Sequence, residues 1–335
     1  MEPQPVVSKE NGMKKFALFA CFALLLTAAT ALAEKGPGGY PGSPISLVVC
    51  YSPGAATDFQ ARIVSMLAGE ERYFGEPIVI LNKAGAGGMT GWNWMVDRGS
   101  KDGLTMTAYN LPHLVAQALV QKPKFTVESF EPIANWGSDP AVLVVSIDSP
   151  HKTVDELVAF ARANPKKLTM NGAGLYVGHH IATLQLQKAT GIEVTYVPEQ
   201  GAADALRGLY SKTVLGGFNN LSDSYRAQDR LRILAVADVK RHEFLPDTPT
   251  LLELGIAVDN ASVNFRGFAF PAGVPKEIID FAAEIVPAMF NDPMVVSKMK
   301  ESGSPLTIMT REETKKLFAH QKAVLSELLA DQIKK

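Results

Sequence analysis

The chain has 335 residues, of which 47% are hydrophobic and 20% charged, with a formal net charge of −1. That balance excludes a disordered or integral-membrane chain, and near-neutrality excludes any general attraction to nucleic acid or anionic lipid. The length suits two domains of ordinary size, and any anion they bind has to be held by local geometry.

Residues 1–33 read as a signal peptide. Met13-Lys14-Lys15 supplies a positive start, Phe16 to Leu26 an apolar run of eleven residues, and Ala31-Leu32-Ala33 a small-residue cleavage signal. The run is too short for a comfortable membrane span, so export to the periplasm is expected. Residues 1–12 read as an extension ahead of the signal's own start. Cleavage after Ala33 removes three basic residues (Lys9, Lys14, Lys15) and two acidic ones (Glu2, Glu10), and the remaining 30 basic and 32 acidic residues give a mature net charge of −2. Cys21 lies inside the signal, so Cys50 stands alone in the mature chain, which excludes an internal disulfide or a cysteine metal site there.

After a Gly/Pro-rich lead-in over 34–43, β-branched runs alternate with helical stretches. Strands are predicted over 45–49, 78–81 and 104–109, with helices over 58–67 and 91–96. A second series begins near 141: strands over 141–146, 168–171, 193–197 and 232–237, and helices over 153–163, 179–189 and 202–209. The helix at 153 opens with the capping box Thr153-Val154-Asp155-Glu156. Such alternation predicts α/β sheets of mainly parallel strands with helical crossovers, and two series of similar size predict two similar lobes. Helices over 276–290 and 312–329, the second capped by Thr310, are expected to pack back on the first lobe. The lobes would then be 34–140 with 262–335, and 141–261.

Three glycine-rich loops follow strands and precede helices. In Ser52-Pro53-Gly54-Ala55-Ala56-Thr57-Asp58 the small residues permit close approach of a ligand to the main chain, the following helix offers free N–H groups, and Thr57 can cap that helix. No GxxxxGK[ST] is present, which argues against a nucleotide triphosphate, and a plain turn with a capping residue accounts for the same letters about as well. "NKAGAGGMTG" at 82–91 lacks the acidic partner of a dinucleotide fingerprint. "NGAGLYVGHH" at 171–180 offers adjacent histidines. Neighbours on a helix point about a hundred degrees apart and no further ligand completes a metal site, so structural histidines are expected and no metal or cofactor. No GxSxG elbow or spaced carboxylate pair marks an enzyme.

From Tyr40 to about Leu329 the chain resembles the extracytoplasmic solute receptors of tripartite tricarboxylate transporters, the Bug-type binding proteins. The matching stretches run in order: "YPGSPISLVV", "PGAATDFQAR", "NKAGAGGMTG", "KDGLTM", "TVDELVAFARANPKKL", "GHHIA", "VPEQGAADAL", "FNNL", "LRILAVAD", "RHEFLPDTPTLLELG" and "FAFPAGVPKEI". The resemblance implies a two-lobed, type II-like Venus flytrap that closes on a small carboxylic acid. It also implies a monomer that delivers this acid, without reaction, to the large and small membrane subunits of a transporter. An exported enzyme or a ligand-sensing subunit on the same fold is the alternative.

Carried over residue by residue, the resemblance places first-lobe contacts on Tyr51, Ser52, Gly54, Ala55, Ala56, Thr57 and Asp58, with Gly87 and Asn110 nearby. Second-lobe contacts fall on Ala173, Gly174, Tyr176, Val177, Gly178, His180, Glu199, Gln200, Gly201, Asn219 and Asn220. The chain departs from the family at Ala55-Ala56, Tyr176-Val177, Glu199-Gln200 and Asn219. The lost hydroxyl at Val177 and lost cation at Gln200 disfavour a second carboxylate, so a monocarboxylate, or an acid with an aromatic or aliphatic body, is expected over citrate. Arg266 supplies a cation if it faces the cleft, and otherwise reads as a surface residue beside a buried Phe265.

Overall fold

The computed structural model describes residues 36–334, so the signal-peptide reading lies outside the described residues. In the first lobe the runs rich in Ile, Val and Leu become β1 (Ile45–Val49) and β2 (Ile78–Asn82), and the mixed run TMTAYNL becomes β3 (Thr105–Leu111); they are separated by α1 (Ala56–Val64) and α2 (Met89–Arg98) and followed by α3 (His113–Val120). Two strands that the sequence reading missed, β4 (Phe130–Asp139) and β10 (Asn264–Pro271), complete the sheet in the order β2-β1-β3-β10-β4.

One residue after β4 the chain enters the second sheet with β5 (Ala141–Ser146). The second lobe continues with α4 (Val154–Ala163), β6 (Leu168–Gly172), α5 (Gly178–Thr190), β7 (Val194–Pro198), α6 (Ala202–Tyr210), β8 (Gly216–Asn220), α7 (Leu221–Tyr225) and β9 (Leu231–Ala237). Its sheet order is β7-β6-β8-β5-β9. Both sheets are mixed rather than all parallel: β10 runs antiparallel to β3 and β4, and β5 antiparallel to β8 and β9. Each reversed strand is the one by which the chain enters its sheet from the other lobe, and this arrival sets its direction.

The C-terminal helices α8 (Lys276–Phe290), α9 (Pro293–Glu301), α10 (Arg311–Leu328) and α11 (Ala330–Ile333) close the chain. Helix α8 packs on β4, and α10 packs on β4 and α3. Phe268, Phe270, Trp136 and Phe290 lie in one core of this lobe, while Trp92, Tyr109, Phe265 and Phe318 lie in the other. Because side chains alternate along a strand, β10 feeds both cores at once.

The capping box of α4 forms as the sequence predicts: Thr153 Oγ1 accepts the Glu156 amide at 3.2 Å and Glu156 Oε2 accepts the Thr153 amide at 3.2 Å. Thr153→Ala is expected to cost about 1 kcal/mol. In urea titration the midpoint should fall with an unchanged slope, and a midpoint equal to wild type would show that the cap contributes nothing.

Candidate ligand-binding site

All three glycine loops lie at the carboxyl ends of parallel strands, where open α/β sheets receive ligands. In the first loop, Gly54 takes the left-handed conformation (φ +80°). Its amide donates to Asp58 Oδ2 at 2.8 Å, and the Ala55 amide donates to Ser52 O at 3.1 Å. Those two donors are therefore occupied within the loop. The amides of Ala56 and Thr57 open α1, where main-chain N–H groups lack intrahelical partners and the dipole is positive.

Two expectations for this loop need correction. Ala55, with no side-chain cap, stands at the helix boundary, and Thr57 does not cap: its Oγ1 accepts Asn110 Nδ2 at 2.9 Å. Asp58 braces the loop and is not among the residues that line the cavity between the lobes. Burial alone would raise its carboxyl, but hydrogen bonds from Arg62, Asn82 and Gly54 hold it below the usual carboxylate range.

The second loop is fastened by Tyr51 Oη, which donates to Gly87 O at 3.2 Å, and by Gln117 Nε2, which donates to Ala86 O and Gly87 O at 3.2 and 3.3 Å. Gly87 meets the opposite lobe. With φ +64°, a Cβ there would stand 2.6 Å from Gln117 Nε2 and 3.0 Å from Val177 Cγ1. Only glycine lets the lobes approach this closely.

In the third loop both histidines act on the main chain. His179 Nδ1 accepts the Ala173 amide at 3.0 Å, and His180 Nδ1 accepts the Tyr176 amide at 3.1 Å. Burial pushes His180 down to about 4 and lowers His179, so both rings are neutral at pH 7.

Between the lobes lies a cavity of about 150 Å3. Of the residues singled out from sequence, Tyr51, Ser52, Ala55, Ala56, Thr57, Gly87 and Asn110 line it from the first lobe, and Ala173, Val177, Gln200, Gly201 and Asn220 from the second. Gly174 and Glu199 border a neighbouring hollow of about 240 Å3 that shares Gly87 and Gln200 with the cavity. Gly54, Asp58, Tyr176, Gly178, His180 and Asn219 do not line either. Gly178 is pressed against the lobe junction, where a Cβ would meet Ser262 O at 2.6 Å. The His180 ring packs on Tyr196 at 4.4 Å between centroids. Asn219 is fully buried in β8, and strand alternation turns it away from Asn220.

Sequence reasoning missed His113, His179 and Asn264 in the buried polar floor of the cavity and Asp204 on α6, and it named Arg266 only on the condition that it faces the cleft. The surface reading of Arg266 is overturned, since its exposure is 0%. Nη1 donates to Asp139 Oδ2 at 2.8 Å and to Gln60 Oε1 at 3.1 Å. Asp139 also accepts the amide and hydroxyl of Ser222 in the second lobe. Nε and Nη2 have no hydrogen-bond partner among the described residues. These two nitrogens form one edge of the guanidinium, the parallel pair of N–H groups that a carboxylate bridges. His113 adds no second cation: burial, with His179 and Arg266 nearby, holds it well below its ordinary value.

The family model for the tripartite tricarboxylate transporter family receptor matches residues 61–332. The Cupriavidus necator UPF0065 protein in the gbd 5' region is 30% identical over 270 residues, covering 78% of each chain. Among solved structures, the periplasmic binding protein BugD superposes with a TM-score of 0.77 at 26% identity, covering 88% of this chain and 98% of its own. An R. palustris protein solved with adipate gives 0.78 at 25% identity with the same coverage. The two mixed α/β lobes thus form a periplasmic-binding-protein fold, and the chain belongs to the tripartite tricarboxylate transporter receptor family.

Proposed function

We propose that this protein is a periplasmic receptor that closes its lobes around one small monocarboxylate and passes it, unreacted, to the large and small membrane subunits of a tripartite transporter. The observation that carries this reading is Arg266, a fully buried residue of the cavity lining whose Nε and Nη2 have no hydrogen-bond partner among the described residues. Burying unpartnered donors of a cation is costly, and an incoming carboxylate satisfies both at once. The amides of Ala56 and Thr57 and the positive end of α1 favour the same charge. A single free cationic edge in about 150 Å3 supports one carboxylate on a compact body. The adipate bound to the R. palustris relative supports the carboxylate class.

The signal-like residues 1–33 support export. The lobe limits we propose are 34–140 with 262–335, and 141–261, so that Pro140 and the approach to Val263 act as the two hinge strands of a monomer. A thermal-shift screen of small carboxylic acids tests the function. An acid at about a hundred times its Kd should stabilise the protein by about 2.7 kcal/mol. Consumption of the stabilising acid would replace the receptor by an enzyme.

A further inference from the structure

A chain of side-chain amides crosses between the lobes, and its polarity is fixed from one end. Asp223, which can only accept, takes Asn220 Nδ2 at 3.0 Å. Asn220 Oδ1 is thereby turned to accept, and it faces His179 Nε2 at 3.2 Å and Asn264 Nδ2 at 3.4 Å. His179 gives an independent check: its Nδ1 accepts the Ala173 amide, so the ring proton sits on Nε2 and donates to Asn220.

With its nitrogen toward Asn220, Asn264 presents Oδ1 to Asn110 Nδ2 at 2.9 Å. The second proton of that nitrogen goes to Thr57 Oγ1 at 2.9 Å. Two consequences follow for the cavity that Asn110 and Thr57 line. Asn110 Oδ1 is left as a buried acceptor with no partner among the described residues. Thr57 Oγ1 accepts from Asn110, so its own hydroxyl proton is available to a ligand carboxylate.

We infer that the ligand is a hydroxy acid, and that Asn110 selects it by accepting a hydrogen bond from the ligand hydroxyl. This rests on the receptor reading above. The donor has to be neutral: an ammonium would sit beside Arg266, and the carboxylates near it are engaged, Asp139 by Arg266 and Ser222 and Asp204 by Arg207. An acid without the hydroxyl leaves Asn110 Oδ1 desolvated and unpaired, and that penalty is the source of discrimination.

The test uses acids paired to differ by one hydroxyl: lactate and propionate, 3-hydroxybutyrate and butyrate, mandelate and phenylacetate, 4-hydroxybenzoate and benzoate. Calorimetric titration of the wild-type protein should show the hydroxylated member of the best-binding pair ahead by about tenfold or more. In Asn110→Leu, of similar size but without the acceptor, that ratio should fall below about threefold. Thr57→Val should weaken both members alike, because its hydroxyl serves the carboxylate. Equal wild-type binding within every pair overturns the hydroxy-acid inference and leaves the receptor standing. Failure of every acid to bind overturns the receptor reading, and this inference with it. A preference that survives in Asn110→Leu removes Asn110 as the selector, and should that variant not fold, the wild-type ratio and the Thr57→Val titration still decide the ligand class.

Discussion

Arg266→Met should lose carboxylate affinity by about a hundredfold or more and unfold about 3–5 kcal/mol more easily than the wild type. Both effects come from one side chain whose Nη1 is occupied by Asp139 and Gln60 and whose Nε and Nη2 are left for the ligand. The Nη1 side neutralises Asp139, which is itself 0% exposed, and removing the cation leaves that carboxylate buried against Ser222 alone. Breaking one half of a buried pair costs far more than the intact pair contributes, because the survivor keeps its desolvation penalty. The double variant Arg266→Met/Asp139→Asn removes the stranded charge and should regain much of the stability while remaining unable to bind. Arg266→Lys keeps the charge but loses the two-pronged edge, so an intermediate affinity is expected. Urea titration with calorimetry on the three variants separates the roles. Wild-type affinity in Arg266→Met would remove this residue from the site, and an equal stability loss in the single and double variants would remove the stranded-charge explanation.

The parts legible from sequence are those where local chemistry and tertiary structure agree. The run at 141–146 and the helix at 276–290 coincide with β5 and α8, and the capping boxes at Thr153 and Thr310 both form. The glycine loops were legible as strand-to-helix turns, and their recurrence in three places together with the family resemblance separated ligand loops from plain turns. What escaped was β4, β8 and β10, and with them much of the cavity floor. "FEPIANWGSD" carries a proline, a glycine and four polar side chains, which reads as a loop. Tertiary pairing overrides that reading, since Asn135 Nδ2 is bonded to Gly137 O and Thr307 O and Tyr109 Oη donates to Asn135 Oδ1. A signal for Arg266 did exist. In "NFRGFAFP" the period of two puts Asn264 and Arg266 on the same face as Phe268 and Phe270, so a core-facing strand begins with two polar residues. Polar groups at the head of a buried face mark a site more sharply than the glycines do.

Gly267→Ala should be among the most damaging single changes in the first lobe, with a stability loss of about 3 kcal/mol or more. The added methyl would fall well inside van der Waals contact with Ala134 O and with the hydroxyl end of Tyr109, and a strand carbonyl cannot turn aside. The tightness has a cause in the sheet. Between Arg266 and Gly267 the pairing with β4 jumps from Gly137 to Asn135, so Trp136 is the extra residue of a bulge. That bulge sends Trp136 Nε1 to Gln60 Oε1, the same oxygen that receives Arg266 Nη1, and so helps to hold the guanidinium over the cavity. Forcing β10 away from β4 would therefore disturb the aim of Arg266 along with the packing. Urea titration and calorimetry on Gly267→Ala should show lower stability and, in whatever fraction folds, weaker binding than Thr153→Ala, whose defect lies far from the floor. Unchanged stability would show that the strands separate freely at this point, and unchanged affinity in a destabilised protein would confine the role of the bulge to packing.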